Sequence, residues 1–358
     1  MIDSESVLGA PTSLGTAATT MRVMRLQSPG EFVSTLIPVP VPTSGELLIR
    51  VAACGVCGHD LLASDGLLSA ENGAVLGHEI SGTVQSVGSP DLNGWLGVRV
   101  ALVQRRSCGK CADCIAKHSS QCRSGPGFYG DDIQGGFAEF VLADPRNAVP
   151  IPDSIDSVTA AFLSCGVGTG LRALRAAKLQ ASDVVLVTGA SGGVGLHTVQ
   201  LAKYLGLRVI ATTSRDVATE ALIQAGATEV IVDPTVGKIR AVAARFGRLR
   251  GVDAAIEVTG APLFATSLRS LAPGGRLILV GNVRPEVFAL DPGLTIVKEL
   301  QIIGSAHATR EDLVEVVQLV ASGSIHPIAS RVFALADASK AFAALRSRSY
   351  TGRAVVIP

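Results

Sequence analysis

Residues 184–195 read Val-Val-Leu-Val-Thr-Gly-Ala-Ser-Gly-Gly-Val-Gly, an apolar run of strand length that breaks into a glycine-rich turn. A helix-like segment follows and reaches Leu205. A glycine-rich fingerprint alone is weak, because any tight turn uses glycine. Between a strand and a helix it gains meaning. There the glycines let the backbone approach a pyrophosphate, and the helix N-terminus favours its negative charge. Gly189, Ser191, Gly192, Gly193, Val194 and Gly195 are therefore candidate contacts for a dinucleotide. A ligand-free turn is the alternative.

Working outward from this stretch, strand-like and helix-like segments alternate. Strand patterns at 209–212, 230–232, 253–257 and 276–280 are separated by helix patterns at 218–225 and 261–271. Such alternation implies a parallel sheet covered on both faces, a doubly wound α/β domain of Rossmann type, here assigned to 166–306. Upstream, residues 21–143 carry short apolar runs punctuated by Gly and Pro, with strands expected at 47–53, 79–87, 99–103 and 137–142. Downstream, Thr309-Arg-Glu-Asp resembles a capping box opening a helix over 309–322. A second helix is expected over 337–345 and a strand over 353–357. The expected division is a β-rich catalytic domain built from 21–165 and 307–358, with 1–20 as a disordered lead-in.

Composition narrows the function classes. A chain of 358 residues, 47% hydrophobic, buries a large core without disulfides. Its formal net charge of +1, with no long basic run, argues against a nucleic-acid surface. The adjacent Arg105 and Arg106 read as a solvated edge. No apolar run approaches the ~20 residues of a membrane span. No Lys or Arg precedes Arg22, whereas export and transit signals want positive charge there. A cytoplasmic protein without membrane contact is the expectation.

The cysteines carry the sharpest signal. Cys108, Cys111, Cys114 and Cys122 lie in one short loop, and four thiolates can close a tetrahedral zinc shell of the structural kind. An iron–sulfur loop also uses C-x2-C steps, but the longer gap before Cys122, and Arg123 rather than Pro after it, favour zinc. A second set is dispersed: Cys57 in Cys54-Gly-Val-Cys57-Gly-His59-Asp60, His78 in Gly77-His78-Glu79, and Cys165 in Ser164-Cys165-Gly166. Each alone is ordinarily structural. Together they offer two thiolates and one imidazole and leave a fourth zinc position open, the catalytic arrangement. At the end of the strand after the glycine loop, a carboxylate would accept the ribose hydroxyls of NAD. The sequence has Thr212-Thr213-Ser214-Arg215, so Thr213, Ser214 and Arg215 suit a 2′-phosphate and favour NADP(H) over NAD(H). Arg215 as a solvated surface residue is the alternative.

Taken together, these residues resemble the zinc-containing medium-chain alcohol dehydrogenase/reductase family from about Met21 onward. The resemblance implies a GroES-like catalytic domain beside the Rossmann domain. It also implies a catalytic zinc on Cys57, His78 and Cys165, and a structural zinc on the four-cysteine lobe, two per chain. In the same way it implies that Glu79 approaches the metal, that Asp60 orients the metal-binding His78, that Thr169 lies beside the nicotinamide and that Arg353 lies near the cofactor phosphates. Cys54 is left as a small buried thiol or an alternative ligand. The departure is the proton relay: the hydroxyl expected two residues after the first zinc cysteine is replaced by His59, and the His three further on by Leu62. His59 fits acid–base work, a pocket wall or an extra ligand. His197 and His307 are given no role.

The expected activity is hydride transfer between NADP(H) and a small carbonyl or alcohol substrate. The alternative is reduction of an activated C=C bond, because 279–309 resembles acryloyl-CoA reductase-like relatives. A non-catalytic nucleotide- or metal-binding protein would need a broken ligand set or glycine loop, and neither is broken. A homodimer or homotetramer is expected, with 288–303 as the candidate contact.

Overall fold

The structure, a computed structural model, describes residues 19–68, 73–282 and 286–358. Most of the expected lead-in lies outside them. Thr20, expected to belong to the lead-in, already opens a strand. Strand Thr20–Ser28 pairs antiparallel with Glu31–Pro38 through the turn at Pro29 and Gly30. Met21, Val23, Met24 and Leu26 point into the core from this hairpin, and that burial holds it in register.

The β-rich part is built on a sheet of seven strands centred on Leu47–Val56. On one side of that strand runs Glu79–Val87 and on the other Arg353–Ile357, both antiparallel to it. The chain's last strand is thus stitched beside one of its first. Strand 137–142 was expected to start earlier than the observed Phe140–Ala143, because 135–137 bond instead to the backbone of Val75, Leu76 and Gly77.

A second sheet contains six parallel strands. Numbered from Val184–Val187, its strands lie in the order 3-2-1-4-5-6, the doubly wound arrangement that places a ligand where the order reverses. The four residues of Val184–Val187 are fully buried because helices cover both faces. Helix Gly193–Tyr204 follows directly, and no side chain caps its N-terminus. Its first N–H groups stay available to a ligand. The capping box at Thr309 is present: Thr309 Oγ1 accepts from the Asp312 amide and Asp312 accepts from the Thr309 amide. Helix Arg310–Ala321 packs on the turn carrying Cys165, within one core shared with the parallel sheet.

His197 fastens the two parts together. It is 1% exposed on helix Gly193–Tyr204 and stacks on Phe162. Nδ1–H donates to the Gly193 carbonyl at 2.6 Å and Nε2 accepts from the Ile328 amide at 3.0 Å. That pattern needs a neutral ring. Burial, with the nearby Arg353 charge, pushes its pKa down to about 4. A folded-state pKa below the unfolded value of about 6.5 means stability is complete above that pH and falls as pH drops toward 4, by up to ~1.4 kcal/mol per unit. Urea unfolding at pH 7.5 and pH 5.5 should show this loss, and His197→Phe should flatten it. Equal pH slopes in both proteins would contradict the assignment.

Candidate active site

Three adjacent strands bring the chemistry together. Gly55 lies opposite Glu79 on one neighbour and opposite Val355 on the other. A Cβ at position 55 would sit 2.0 Å from a Glu79 carboxylate oxygen, so only glycine lets that side chain fold across the central strand. Glu79 is fully buried, and its carboxylate stands 2.7 Å from the Arg353 guanidinium, itself 4% exposed. The two are close but poorly aligned. Neither Glu79 oxygen, nor Arg353 Nε or Nη2, has a hydrogen-bond partner among the described residues. Burial raises the Glu79 pKa to about 7 against the pull of Arg353. On its far side Arg353 presses on the glycine loop: a Cβ at Gly193 would lie 2.5 Å from the guanidinium carbon.

Around Glu79 the donor atoms of Cys57, His78 and Cys165 converge, all four within 4.8 Å of one another. Cys57 stands at the N-terminus of helix Gly58–Ser64, and Cys165 in a π-helical turn, Leu163–Gly168. Such turns insert a residue into a helix and recur at functional sites. The two sulfurs are 3.8 Å apart. A tetrahedron with metal–sulfur bonds of about 2.3 Å has edges of about 3.8 Å. Their contact pushes the Cys57 thiol down and the Cys165 thiol up. His78 is 1% exposed, with Nδ1 on Asp60 at 3.1 Å and Nε2 buried without a partner among the described residues. A carboxylate behind one ring nitrogen and an orphan on the other is the arrangement of a metal-binding histidine. Asp60 also accepts from the Cys57 and Gly77 amides, locking both ligand loops to one carboxylate. These residues fit zinc.

Beside them His59 Nε2 lies 2.7 Å from Asp131. Burial opposes its charged form, but Asp131 outweighs this and raises its pKa. Phe128 packs against the rings of His59, His78 and His307, with centroids 5.1, 5.1 and 5.4 Å away. His307 Nε2 is buried without a partner among the described residues; burial and the charges of Arg105 and Arg172 push its pKa down to about 3. Leu62 belongs to helix Gly58–Ser64, which also carries His59.

The four-cysteine lobe is equally compact. The sulfurs of Cys108, Cys111, Cys114 and Cys122 lie within 4.8 Å of one another, with contacts of 3.9 Å for Cys108–Cys114 and Cys111–Cys122. Amides of Cys111 and Cys108 point at the sulfurs of Cys108 and Cys122. That spacing fits a shell around one ion. Arg105 and Arg106 are not the solvated edge expected from sequence. Arg105 donates to the Cys122 carbonyl at 2.9 Å, and Arg106 pairs with Glu46 at 2.8 Å. Both bind the lobe's base to the sheet.

At the glycine loop, Thr213 is 4% exposed and donates to Ser191 Oγ at 3.2 Å, joining the strand end to that loop. Ser214 is exposed and Arg215 half-buried. Arg215 is not simply a solvated residue, since its guanidinium donates to the Arg348 carbonyl and to Thr351 Oγ1. Gly189, Ser191, Gly192, Gly193, Val194 and Gly195 form the loop and first turn they were expected to form. Thr169 is 7% exposed, and its hydroxyl has no partner among the described residues.

Sequence reasoning missed Asp131, Phe128 and His307 as parts of this site. Asp131 is 72 positions from His59 and shares no motif with it. Cys54 is fully buried, with burial raising its pKa, and it stands outside the cluster.

Residues 43–153 match the alcohol dehydrogenase GroES-like domain, and residues 193–322 match the zinc-binding dehydrogenase family. An acryloyl-coenzyme A reductase of Metallosphaera sedula is 34% identical, covering 88% of this chain and 93% of that protein. A NAD-dependent alcohol dehydrogenase of Saccharolobus solfataricus is 30% identical, covering 94% and 100%. The crystal structure of AibC superposes with a TM-score of 0.87 at 41% identity, covering 95% and 96%. The chain belongs to the zinc-containing medium-chain dehydrogenase/reductase family of oxidoreductases.

Proposed function

We propose that this enzyme transfers a hydride between NADP(H) and a small carbonyl or alcohol substrate at a zinc held by Cys57, His78 and Cys165. The observation that carries this reading is the orphaned, Asp60-backed His78 Nε2 beside two thiols at tetrahedral spacing. Zinc held at this place would supply Lewis-acid polarisation of a substrate oxygen. A bound nicotinamide would supply or accept the hydride.

The chain's own residues do the rest. Asp60 holds His78 in the tautomer that frees Nε2. Glu79, held beside Arg353, brings an oxygen to a cluster of two sulfurs and one imidazole nitrogen and would be the fourth donor near a bound metal. His59, held by Asp131, exchanges the proton of the substrate oxygen in place of the family's usual hydroxyl. Phe128 keeps water from the reacting face. Thr169 would flank a bound nicotinamide, and Gly189 to Gly195 with Ser191 would cradle its pyrophosphate. Arg353, buried under Gly193, fixes that loop relative to Glu79. A second zinc on Cys108, Cys111, Cys114 and Cys122 stabilises the lobe. We read 21–165 with 307–358 as the catalytic unit and 166–306 as the cofactor unit.

The preference for NADP(H) rests on Thr213, Ser214 and Arg215, with no carboxylate before Asp216 at the strand end. Reduction of an activated C=C bond is the second reading. It is favoured by the histidine at 59 in place of the relay hydroxyl and by the 34% identity to a protein named acryloyl-coenzyme A reductase. We place the enzyme in the cytoplasm on its clustered thiols; no helix among the described residues is long and apolar enough to cross a membrane.

Initial rates with NADPH and NADH against aldehydes, ketones, enals and enoyl thioesters test the function. Carbonyl turnover with a preference of roughly tenfold or more for NADPH is expected. A folded Cys57→Ser protein should lose it by at least two orders of magnitude. Undiminished carbonyl turnover by Cys57→Ser would overturn the reading. Loss of carbonyl turnover with enoyl thioester reduction intact would favour the alternative.

A homodimer or homotetramer is also proposed. Strand Gln301–Gly304 is an edge of the parallel sheet, and Leu290, Ile296 and Val297 are exposed beside it, Val297 at 83%. Apolar side chains grouped at a sheet edge mark an association surface. Light scattering should give a multiple of 36.7 kDa; a monomer at micromolar concentration would contradict this.

A further inference from the structure

Glu257 closes strand 4 of the parallel sheet, Val252–Glu257, and its side chain is fully buried. Strand 4 lies directly beside strand 1, so this carboxylate stands where the strand order reverses. Five donors converge on it. Its Oε1 accepts from the Thr188 hydroxyl at 2.8 Å, from the Thr259 amide at 2.8 Å and hydroxyl at 2.5 Å, and from the Gly260 amide at 3.1 Å. Its Oε2 accepts from Ser267 Oγ. Thr188, 1% exposed, accepts in turn from the Val258 amide at 2.9 Å. The backbone carbonyl of Glu257 also takes the Val280 amide at 2.9 Å, just beyond strand 5.

Unlike Glu79, which faces Arg353, Glu257 has no cationic partner among the described residues. A buried carboxylate without a cation is costly to hold, and hydroxyls and amides alone carry it here. Backbone pairing already fixes strands 1 and 4 without it. What the carboxylate adds lies past their ends. It ties Thr188, the residue before Gly189, to the turn at 258–260, and the two segments touch: a Cβ at Gly189 would sit 2.9 Å from Thr259 Cγ2. In a doubly wound sheet each half, strands 1 to 3 and strands 4 to 6, takes one nucleotide of a dinucleotide, across the crevice at the reversal. Thr213 and Ser191 meet on the strand 2 side of the glycine loop. The 258–260 turn is the wall on the strand 4 side.

We propose that Glu257 is a positioning residue that fixes the 258–260 turn against the glycine loop and thereby seats the nicotinamide half of the cofactor. The inference rests on the nicotinamide reading above and deepens it, by giving a role to a buried carboxylate that stands outside the cluster of Cys57, His78 and Cys165.

Fluorescence titration of the intact enzyme with NADPH and NADH, beside calorimetric titration with 5′-AMP, tests this without turnover, because 5′-AMP lacks the nicotinamide half. Glu257→Leu removes every side-chain acceptor; it should weaken the tighter-binding dinucleotide by roughly tenfold or more and leave 5′-AMP within about twofold. Glu257→Gln keeps a carbonyl oxygen for the donors of the turn and should recover most of the loss. Ser267→Ala cuts only the bond to helix Ala261–Ser270 and should leave both ligands as in the wild type. Thr188→Val cuts the bond beside the glycine loop; it should weaken the dinucleotide by roughly threefold or more, and it decides the matter if Glu257→Leu does not fold. Unchanged dinucleotide affinity in the deciding variant would overturn the proposal while the nicotinamide reading stands. Equal weakening of both ligands, a Glu257→Gln protein no better than Glu257→Leu, or a Ser267→Ala effect as large as that of Thr188→Val would also overturn it, by making Glu257 a support of the sheet. A wild type that binds neither NADPH nor NADH would remove the nicotinamide reading itself, and this proposal with it.

Discussion

The buried contact between Glu79 and Arg353 is the constraint on which the rest of the site depends. It crosses the central strand where Gly55 leaves room for it. One end reaches the thiol and imidazole cluster, and the other presses on Gly193 at the start of the cofactor helix. Taking both charges out of water costs several kcal/mol, and breaking such a pair by removing one partner costs roughly 3–5 kcal/mol more. A contact that expensive and so poorly aligned contributes more as a spacer than as a source of stability. It fixes the distance between the Cys57, His78 and Cys165 cluster and the glycine loop at Gly193.

Other links repeat the same design. His197 spans the cofactor helix and the backbone of Ile328. Helix Arg310–Ala321 packs on the turn that carries Cys165. The turn around Arg348 lies on both Arg215 and Ser191. Each link ties segments that lie far apart in the chain to the cofactor helix, the Cys165 turn or the glycine loop. A reaction between two bound groups needs their separation fixed to within a fraction of an ångström, and these links provide that.

Much of this was legible in the sequence because it is local. The strand, glycine turn and helix of 184–204, the Thr309 capping box and the four-cysteine spacing depend on residues within one turn or one loop. The hairpin Thr20–Ser28 and Glu31–Pro38 was missed although Pro29 and Gly30 form a turn pair, because alternation in its second strand is interrupted by exposed apolar side chains such as Val33 and Leu36. Asp131 behind His59, Phe128 among three imidazoles, and Arg105 under Cys122 were not legible for another reason. They depend on which loops the sheet brings together, and no spacing along the chain encodes that. Arg353 was visible only as a basic residue near a phosphate; its pairing with Glu79 comes from two strands that flank Gly55 from opposite ends of the sequence.

Metal content per chain tests the central claim most directly. Elemental analysis of protein purified without added metal should find about two zinc ions, falling to about one in Cys57→Ala with the cysteine lobe still loaded. One zinc in both proteins would contradict the account, because the cluster of Cys57, His78 and Cys165 would then hold none.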